Sequence, residues 1–203
     1  MGTKRVGLAR TKALIQGLKR QLNLSGSTMK GLRLIGADSE NDAGAGMTNV
    51  VSNPRVQTVG NVNTTTILVD LGASTPASGA SSNWILGESG STGAAYLTKF
   101  TNEESGYITN MQVTCVEIPA GGSTDIDFYL TTTSLTGGQE PAGGETLINS
   151  GAWAVGETSG LYDPKDTRTL DWNDKYLYLV CPASSSVYSS GKFVITVTGK
   201  KSF

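Results

Sequence analysis

The chain has 203 residues, of which 37% are hydrophobic and 16% are charged, and it contains no histidine. This length suits one all-β domain with an appendage, and the missing histidine excludes Ser–His and Cys–His nucleophile pairs and imidazole metal ligands. The formal net charge of -1 conceals a separation, because residues 1–33 carry eight basic side chains and no acid, whereas residues 34–203 carry eight basic side chains and all seventeen acids.

The basic segment, residues 1–33, is predicted to form an arm with an amphipathic helix over about residues 8–22. Its apolar residues follow helical spacing, and most of its basic residues lie elsewhere on the helix. Gly17 costs such a helix about 1 kcal/mol relative to Ala, so we expect the helix to need a partner surface. The residues expected to dock on that partner are Lys4, Arg5, Leu8, Arg10, Lys12, Ile15, Leu18, Lys19, Arg20 and Leu22.

A protein partner for this arm is favoured over nucleic acid. The basic residues could track phosphates, but the arm has no aromatic side chain for base stacking, and its apolar stripe is better used against protein. A solvated basic helix is the remaining alternative. Nothing in the first 33 residues has the uninterrupted apolar core of a secretory signal, and no run of about 18 apolar residues occurs anywhere, so we expect a soluble protein without membrane contact.

Residues 34–63 are predicted to be an extended linker that lends at most one strand near residues 56–59. Residues 38–42 resemble the start of an acidic calcium loop. However, Ala43 occupies the position of the sharp-turn Gly and Asn49 that of the closing Glu, so a polar linker is favoured over a calcium site.

Residues 64–203 are predicted to be the body, with strands at residues 64–71, 111–118, 125–132, 175–181 and 192–198 and weaker ones near residues 96–101, 146–148 and 153–155. The second and third strands are expected to form a hairpin through the turn Pro119–Gly122, and the fourth and fifth another. Antiparallel strands with one polar face predict an all-β fold, an antiparallel β-sandwich or jelly-roll-like body. The predicted core contains Ile67, Val69, Val113, Cys115, Ile126, Phe128, Leu177, Leu179, Phe193 and Ile195.

Recognisable catalytic motifs are missing from the sequence, so we expect neither enzymatic activity nor a cofactor. Cys115 and Cys181 each lie in an apolar strand pattern, which favours buried free thiols over a disulfide, although a single bridge stays possible if the strands are neighbours. Asp125 and Asp127 are expected on the solvated face of a hairpin strand rather than as a glycosidase pair.

Three aromatic residues near acidic side chains allow two interpretations. Trp153, Tyr162 and Trp172 could stack on a sugar, with neighbouring aspartates accepting hydrogen bonds from its hydroxyls. Alternatively, these rings plug one end of the body, and the aspartates serve in turns. The second interpretation is favoured.

The opening segment MGTKRVGLARTKALIQGLKRQL resembles the N-terminus of virion structural proteins of aquatic tailed bacteriophages, and the segments EIPAGGSTDIDFYL, KYLYLVCP and GKFVITVTG resemble downstream strands of the same proteins. The resemblance implies a capsid decoration, or cement, protein on the virion surface, assembled in the host cytoplasm. It further implies a homo-oligomer whose arm contacts the major capsid protein or other virion proteins. A tail, collar or fibre component with a glycan-binding role in host recognition is the alternative, and the resemblance transfers no catalytic residues.

Overall fold

The computed structural model describes residues 43–75, 83–88, 91–148, 151–161, 171–181 and 187–201. These residues form twelve β-strands and two single-turn 3₁₀ helices, Ala45–Met47 and Leu71–Ala73. The strands are β1 (Val51–Val59), β2 (Val62–Asp70), β3 (Ser74–Thr75), β4 (Trp84–Ile85), β5 (Gly87–Glu88), β6 (Thr98–Phe100), β7 (Tyr107–Ala120), β8 (Asp127–Thr131), β9 (Glu145–Ile148), β10 (Thr158–Leu161), β11 (Lys175–Cys181) and β12 (Ser190–Lys200).

The strands are arranged in two five-stranded sheets and one two-stranded pair. Sheet I has the order β1-β2-β12-β7-β10, and sheet II has the order β4-β11-β8-β9, with β6 also paired to β11. The small pair consists of β3 and β5. Every pairing among these strands is antiparallel, so the described part of the chain confirms the predicted all-β, antiparallel fold class.

The core lies between the inner faces of the two sheets. Along each long strand, alternate side chains point to the same face, and the apolar set of β2, β7 and β12 faces that of β8 and β11. The rings of Phe128 on β8 and Phe193 on β12 meet edge to face, with 5.9 Å between their centroids. All ten residues predicted for the core are buried, which confirms that part of the prediction.

The body includes residues upstream of the predicted boundary at residue 64. Met47, Val50 and Val51 are buried in the core, and β1 pairs along β2 from Val51 opposite Val69 to Val59 opposite Val62. Residues 43–63 therefore belong to the body, with residues 51–59 and 62–63 in sheet I. The predicted strand near residues 56–59 is present as part of β1, but the prediction that residues 43–63 form a linker was wrong. Apolar residues in this segment are sparse and widely spaced, so they show no strand periodicity.

Both predicted hairpins were wrong, for the same reason. Strand β7 lies in sheet I and β8 in sheet II, and β11 and β12 are likewise divided between the sheets. The actual neighbours are exchanged: β12 pairs with β7, and β11 pairs with β8. A turn signal shows that the chain reverses, but it does not show whether the next strand joins the same sheet or the facing one.

Two glycines between β7 and β8 allow the chain to pass from sheet I to sheet II. Gly121 has a φ of +89°, and a Cβ atom on Gly122 would lie 2.5 Å from the ring of Tyr188. The Tyr188 hydroxyl donates a hydrogen bond to the Ser123 carbonyl at 2.9 Å, which fixes the ring against the turn. The Pro119–Gly122 segment is therefore shaped by packing against Tyr188 rather than by a hairpin.

The weaker strand predictions had mixed outcomes. Strands near residues 96–101 and 146–148 are present as β6 and β9, whereas residues 153–155 precede β10 instead of forming a strand. The predicted arm, residues 1–33, and its helix lie outside the described residues. Within the described ranges, no helix has the length and apolar character needed to cross a membrane.

We predict that Phe128→Ala and Phe193→Ala each lower the free energy of unfolding by about 3 to 5 kcal/mol, because both rings are fully buried. Since the rings touch across the two sheets, the double variant should lose less free energy of unfolding than the two single variants lose together, by roughly 0.5 to 1.5 kcal/mol. Urea unfolding of the four proteins measures this coupling. Val155→Ala, at a side chain that is 63% exposed, is the control. A loss within about 0.5 kcal/mol at both phenylalanines, as for an ordinary surface change, would contradict the assigned core.

Candidate functional site

The outer face of sheet II is covered by a loop, residues 132–144. The Tyr178 hydroxyl donates a hydrogen bond to the Thr133 carbonyl at 2.9 Å and accepts one from the Leu135 amide at 2.8 Å. Further along, the Gly144 amide donates to the Tyr129 hydroxyl at 3.1 Å. Sheet II is therefore covered by the core on one face and, around Tyr178 and Tyr129, by this loop on the other.

A polar pocket lies where this cover ends. Its volume is about 290 Å³. Strand β8 supplies Asp127 and Tyr129, and their pairing partners Val180 on β11 and Thr146 on β9 line the same space. The other lining residues among those described are Asn83, Glu140 and Pro141. Two carboxylates, an amide, a phenol and a hydroxyl therefore converge on one small space, without a Lys or Arg among the described lining residues.

Asp127 is the most unusual residue of this pocket. Its side chain is only 5% exposed, and its Oδ1 atom has no hydrogen-bond partner. Burial raises the pKa of Asp127 from 3.8 to about 6, with a further contribution from the negative charge of Asp125. Asp125 is itself half-buried, and its Oδ1 also lacks a partner. Holding an ionised carboxylate here costs folding free energy, which makes the pocket a candidate binding site.

The expectation of a solvated Asp127 was wrong, and the covering loop explains why. Alternation along β8 correctly separates Asp127 and Tyr129 from the core residues Phe128 and Leu130. Strand periodicity shows which face a side chain occupies but not whether that face is covered. Glu140 was not predicted as a site residue at all, because a single acid in a Gly-rich loop gives no signal in the sequence.

The two cysteines are free and buried, as predicted. Cys115 lies on β7 in sheet I and Cys181 on β11 in sheet II. Burial raises the pKa of both thiols, that of Cys181 to about 11. Both thiols are therefore protonated at neutral pH and are poor nucleophiles.

The structure does not support sugar stacking on the two tryptophans. Trp153 is 3% exposed, its indole N–H donates to the Ile126 carbonyl at 2.8 Å, and its ring packs edge-on against Phe193. Trp172 is 4% exposed and packs edge-on against Phe100. Neither indole presents a face to a ligand, so the alternative that the rings plug the body holds for both. Tyr162 lies outside the described residues.

A second surface feature lies on the outer face of sheet I. It is a groove of about 600 Å³, here named the sheet I groove, and it is bordered by residues 48–52, 68–70 and 192–194 together with Val116. Leu68 and Val116 are 45% and 51% exposed there. Lys192 is held by Glu117 at 2.7 Å and by Asp70 at 3.6 Å, so the groove combines these exposed apolar side chains with polar groups that already have partners. Exposed apolar residues that line one groove are typical of protein contact surfaces.

Other predicted site residues lie outside the described residues. They are the arm residues Lys4, Arg5, Leu8, Arg10, Lys12, Ile15, Leu18, Lys19, Arg20 and Leu22, and the acids of the calcium-like segment at residues 38–42. Asn49, at the far end of that segment, donates its side-chain amide to Glu88. Across the described parts of the chain, no three His, Cys, Asp or Glu side chains cluster as metal ligands would.

Comparisons with protein-family models, with curated proteins and with solved structures found no match to this chain.

We predict that Asp127→Asn raises the free energy of unfolding at pH 7.5 by about 1 to 3 kcal/mol and changes it little at pH 4. The raised pKa means that the folded state holds the proton more tightly than the unfolded chain. The natural protein therefore loses stability as pH rises from about 4 through about 6. The Asp127→Asn variant avoids this loss, because its side-chain amide stays neutral.

Urea unfolding of both proteins at the two pH values tests this. Asp171→Asn is the matched control, because it makes the same chemical change at an exposed aspartate. Stabilisation of equal size at both pH values, or destabilisation at pH 7.5, would show that Asp127 is not a strained charge.

Proposed function

We propose that this chain is a non-enzymatic structural protein of a bacteriophage virion, and most specifically a decoration protein that binds the capsid shell. The observation that carries the proposal is the sheet I groove, where Leu68 and Val116 stay exposed on the outer face of an antiparallel sheet. Such a surface is costly to leave in water and is suited to contact with another protein. The resemblance of the N-terminal and strand segments to virion proteins supplies the identity of that partner.

The division of charge supports an assembly role. Residues 1–33 carry eight basic side chains and no acid, so they are attracted to acidic protein surfaces, while the rest of the chain is acidic. An arm adds contact area without enlarging the body, and many weak contacts in a shell act together as avidity. We propose further that the two-sheet body is a β-sandwich of jelly-roll-like type and that it acts as an oligomer on the virion surface.

The glycan-binding alternative has lost two of its three supporting residues. Trp153 and Trp172 are committed to the core, so a tail or fibre role that depends on them is disfavoured. A tail or collar position without glycan binding remains compatible with the same contact surfaces, and the particle experiments below distinguish it from a capsid position.

We predict that the arm is required for particle binding. Full-length protein, a form that lacks residues 1–33, and a full-length variant with Leu8, Ile15, Leu18 and Leu22 changed to Ser are mixed with particles that lack the protein. Copies bound per particle are counted by quantitative gel or electron microscopy. Both altered forms should fold but bind few copies, because the apolar stripe holds the arm after charge has steered it. Binding by the full-length protein should weaken with added salt.

Equal occupancy for all three proteins would refute the role of the arm. Bound protein that electron microscopy finds on tails alone would refute the capsid position.

We also predict that the sheet I groove contributes to the same contact. The double variant Leu68→Lys and Val116→Lys places two charges in the groove and should lower occupancy at least about tenfold at limiting protein concentration. Val155→Lys is the matched control, since Val155 is 63% exposed and does not line the groove. Unchanged binding of the double variant, with an unchanged unfolding midpoint, would remove the groove from the proposed interface.

A further inference from the structure

The polar pocket beside β8 has a property that the proposed virion role does not explain. Asp127 is 5% exposed, and its Oδ1 has no hydrogen-bond partner. Buried polar atoms in proteins normally have a partner, because leaving one unpaired costs free energy. None of the described lining residues carries a positive charge. Because Asp127 lines the pocket, a group that enters it with N–H donors can bind a carboxylate whose charge no described lining residue neutralises.

The chemistry of the lining residues selects among ligands. Asp127 and Glu140 supply two carboxylates, and Asp125 adds a third negative charge close to Asp127. Among the residues that the structure describes, no group of three such side chains converges closely enough to coordinate a metal ion. A diffuse organic cation places less demand on ligand number and geometry than Ca²⁺ or Mg²⁺ does, and it suits two carboxylates that lie on different elements.

The apolar residues and the size of the pocket narrow the ligand further. Pro141 and Val180 provide surface against which a methylene stem can lie while its charged end reaches the carboxylates. A volume of about 290 Å³ is at the lower limit of small-molecule pockets and suits a single long side chain better than a larger ligand. A planar guanidinium offers five N–H donors in a fixed fork and can bridge two carboxylates, which a lysine ammonium does less well.

We infer that this pocket is a recognition site for an arginine side chain of a partner polypeptide, with Asp127 and Glu140 as the acceptors and with Pro141 and Val180 packed along the stem. The site is independent of the proposed virion role, because it rests only on the pocket and its unpartnered carboxylate. Binding of an arginine side chain would compensate for the folding free energy that the buried Asp127 carboxylate costs.

The test uses the full-length protein and two small probes, N-acetyl-arginine methylamide and the citrulline analogue, which has the same shape but a neutral ureido group. Binding is followed by two-dimensional amide NMR, so that the site is located as well as the affinity measured. The arginine probe should shift amides of Tyr129, Thr146 and Val180 in a saturable manner, and the citrulline probe should bind at least about tenfold more weakly.

Variants then assign the acceptors. Asp127→Asn and Glu140→Gln should each weaken binding of the arginine probe, Asp127→Asn by at least about tenfold, whereas the control Glu103→Gln, at an exposed glutamate outside the pocket, should not. Equal affinity for the two probes, shifts centred elsewhere on the protein, or undiminished binding by Asp127→Asn would each overturn the inference. The particle-binding experiments use other residues, so failure here leaves their outcome unaffected.

Discussion

The contact of three aromatic rings between the sheets determines how the rest of the body is arranged. Trp153 packs edge-on against Phe128 of sheet II and Phe193 of sheet I, with centroids 6.1 Å and 5.3 Å away, and the two phenylalanines also touch each other. Its indole N–H is satisfied by the Ile126 carbonyl, so the large ring is buried without an unpaired donor. Because one side chain contacts both sheets, neither sheet can shift against the other without disrupting these aromatic contacts.

This arrangement also explains what could be predicted from the sequence. Residues such as Val113, Ile126 and Phe128 alternate with polar neighbours, and this alternation is a local property that does not depend on which strands pair. Their burial was therefore predictable. Pairing was not, since β7 and β8 are joined by a turn that resembles a hairpin yet crosses between the sheets. That crossing depends on Tyr188, which is far away in sequence, and on the space that Gly122 leaves for its ring.

The candidate site shows a similar limit. Asp127 was recognised as a polar residue opposite the core, and that much follows from the period of a strand. Its burial depends on a loop, residues 132–144, that is held over sheet II by hydrogen bonds to Tyr178 and Tyr129. Loops carry little periodic signal, so neither the cover nor the approach of Glu140 could be read from the residue order. For Trp153 and Trp172 the sequence allowed a sugar-binding interpretation, because tryptophan is common in sugar sites. The structure uses both rings for packing in the core instead.

The two surface features lie on opposite sides of the body, and this placement bears on how the protein would work in an assembly. The sheet I groove uses residues such as Leu68 and Val116, which alternate with core residues of β2 and β7 and so point away from the core. The pocket of Asp127 and Tyr129 is built in the same way on sheet II. Partners at the groove and at the pocket would therefore approach from opposite directions. If both proposed sites bind partners, the body joins two neighbours at once, and occupancy of one site raises the effective concentration of the partner for the other.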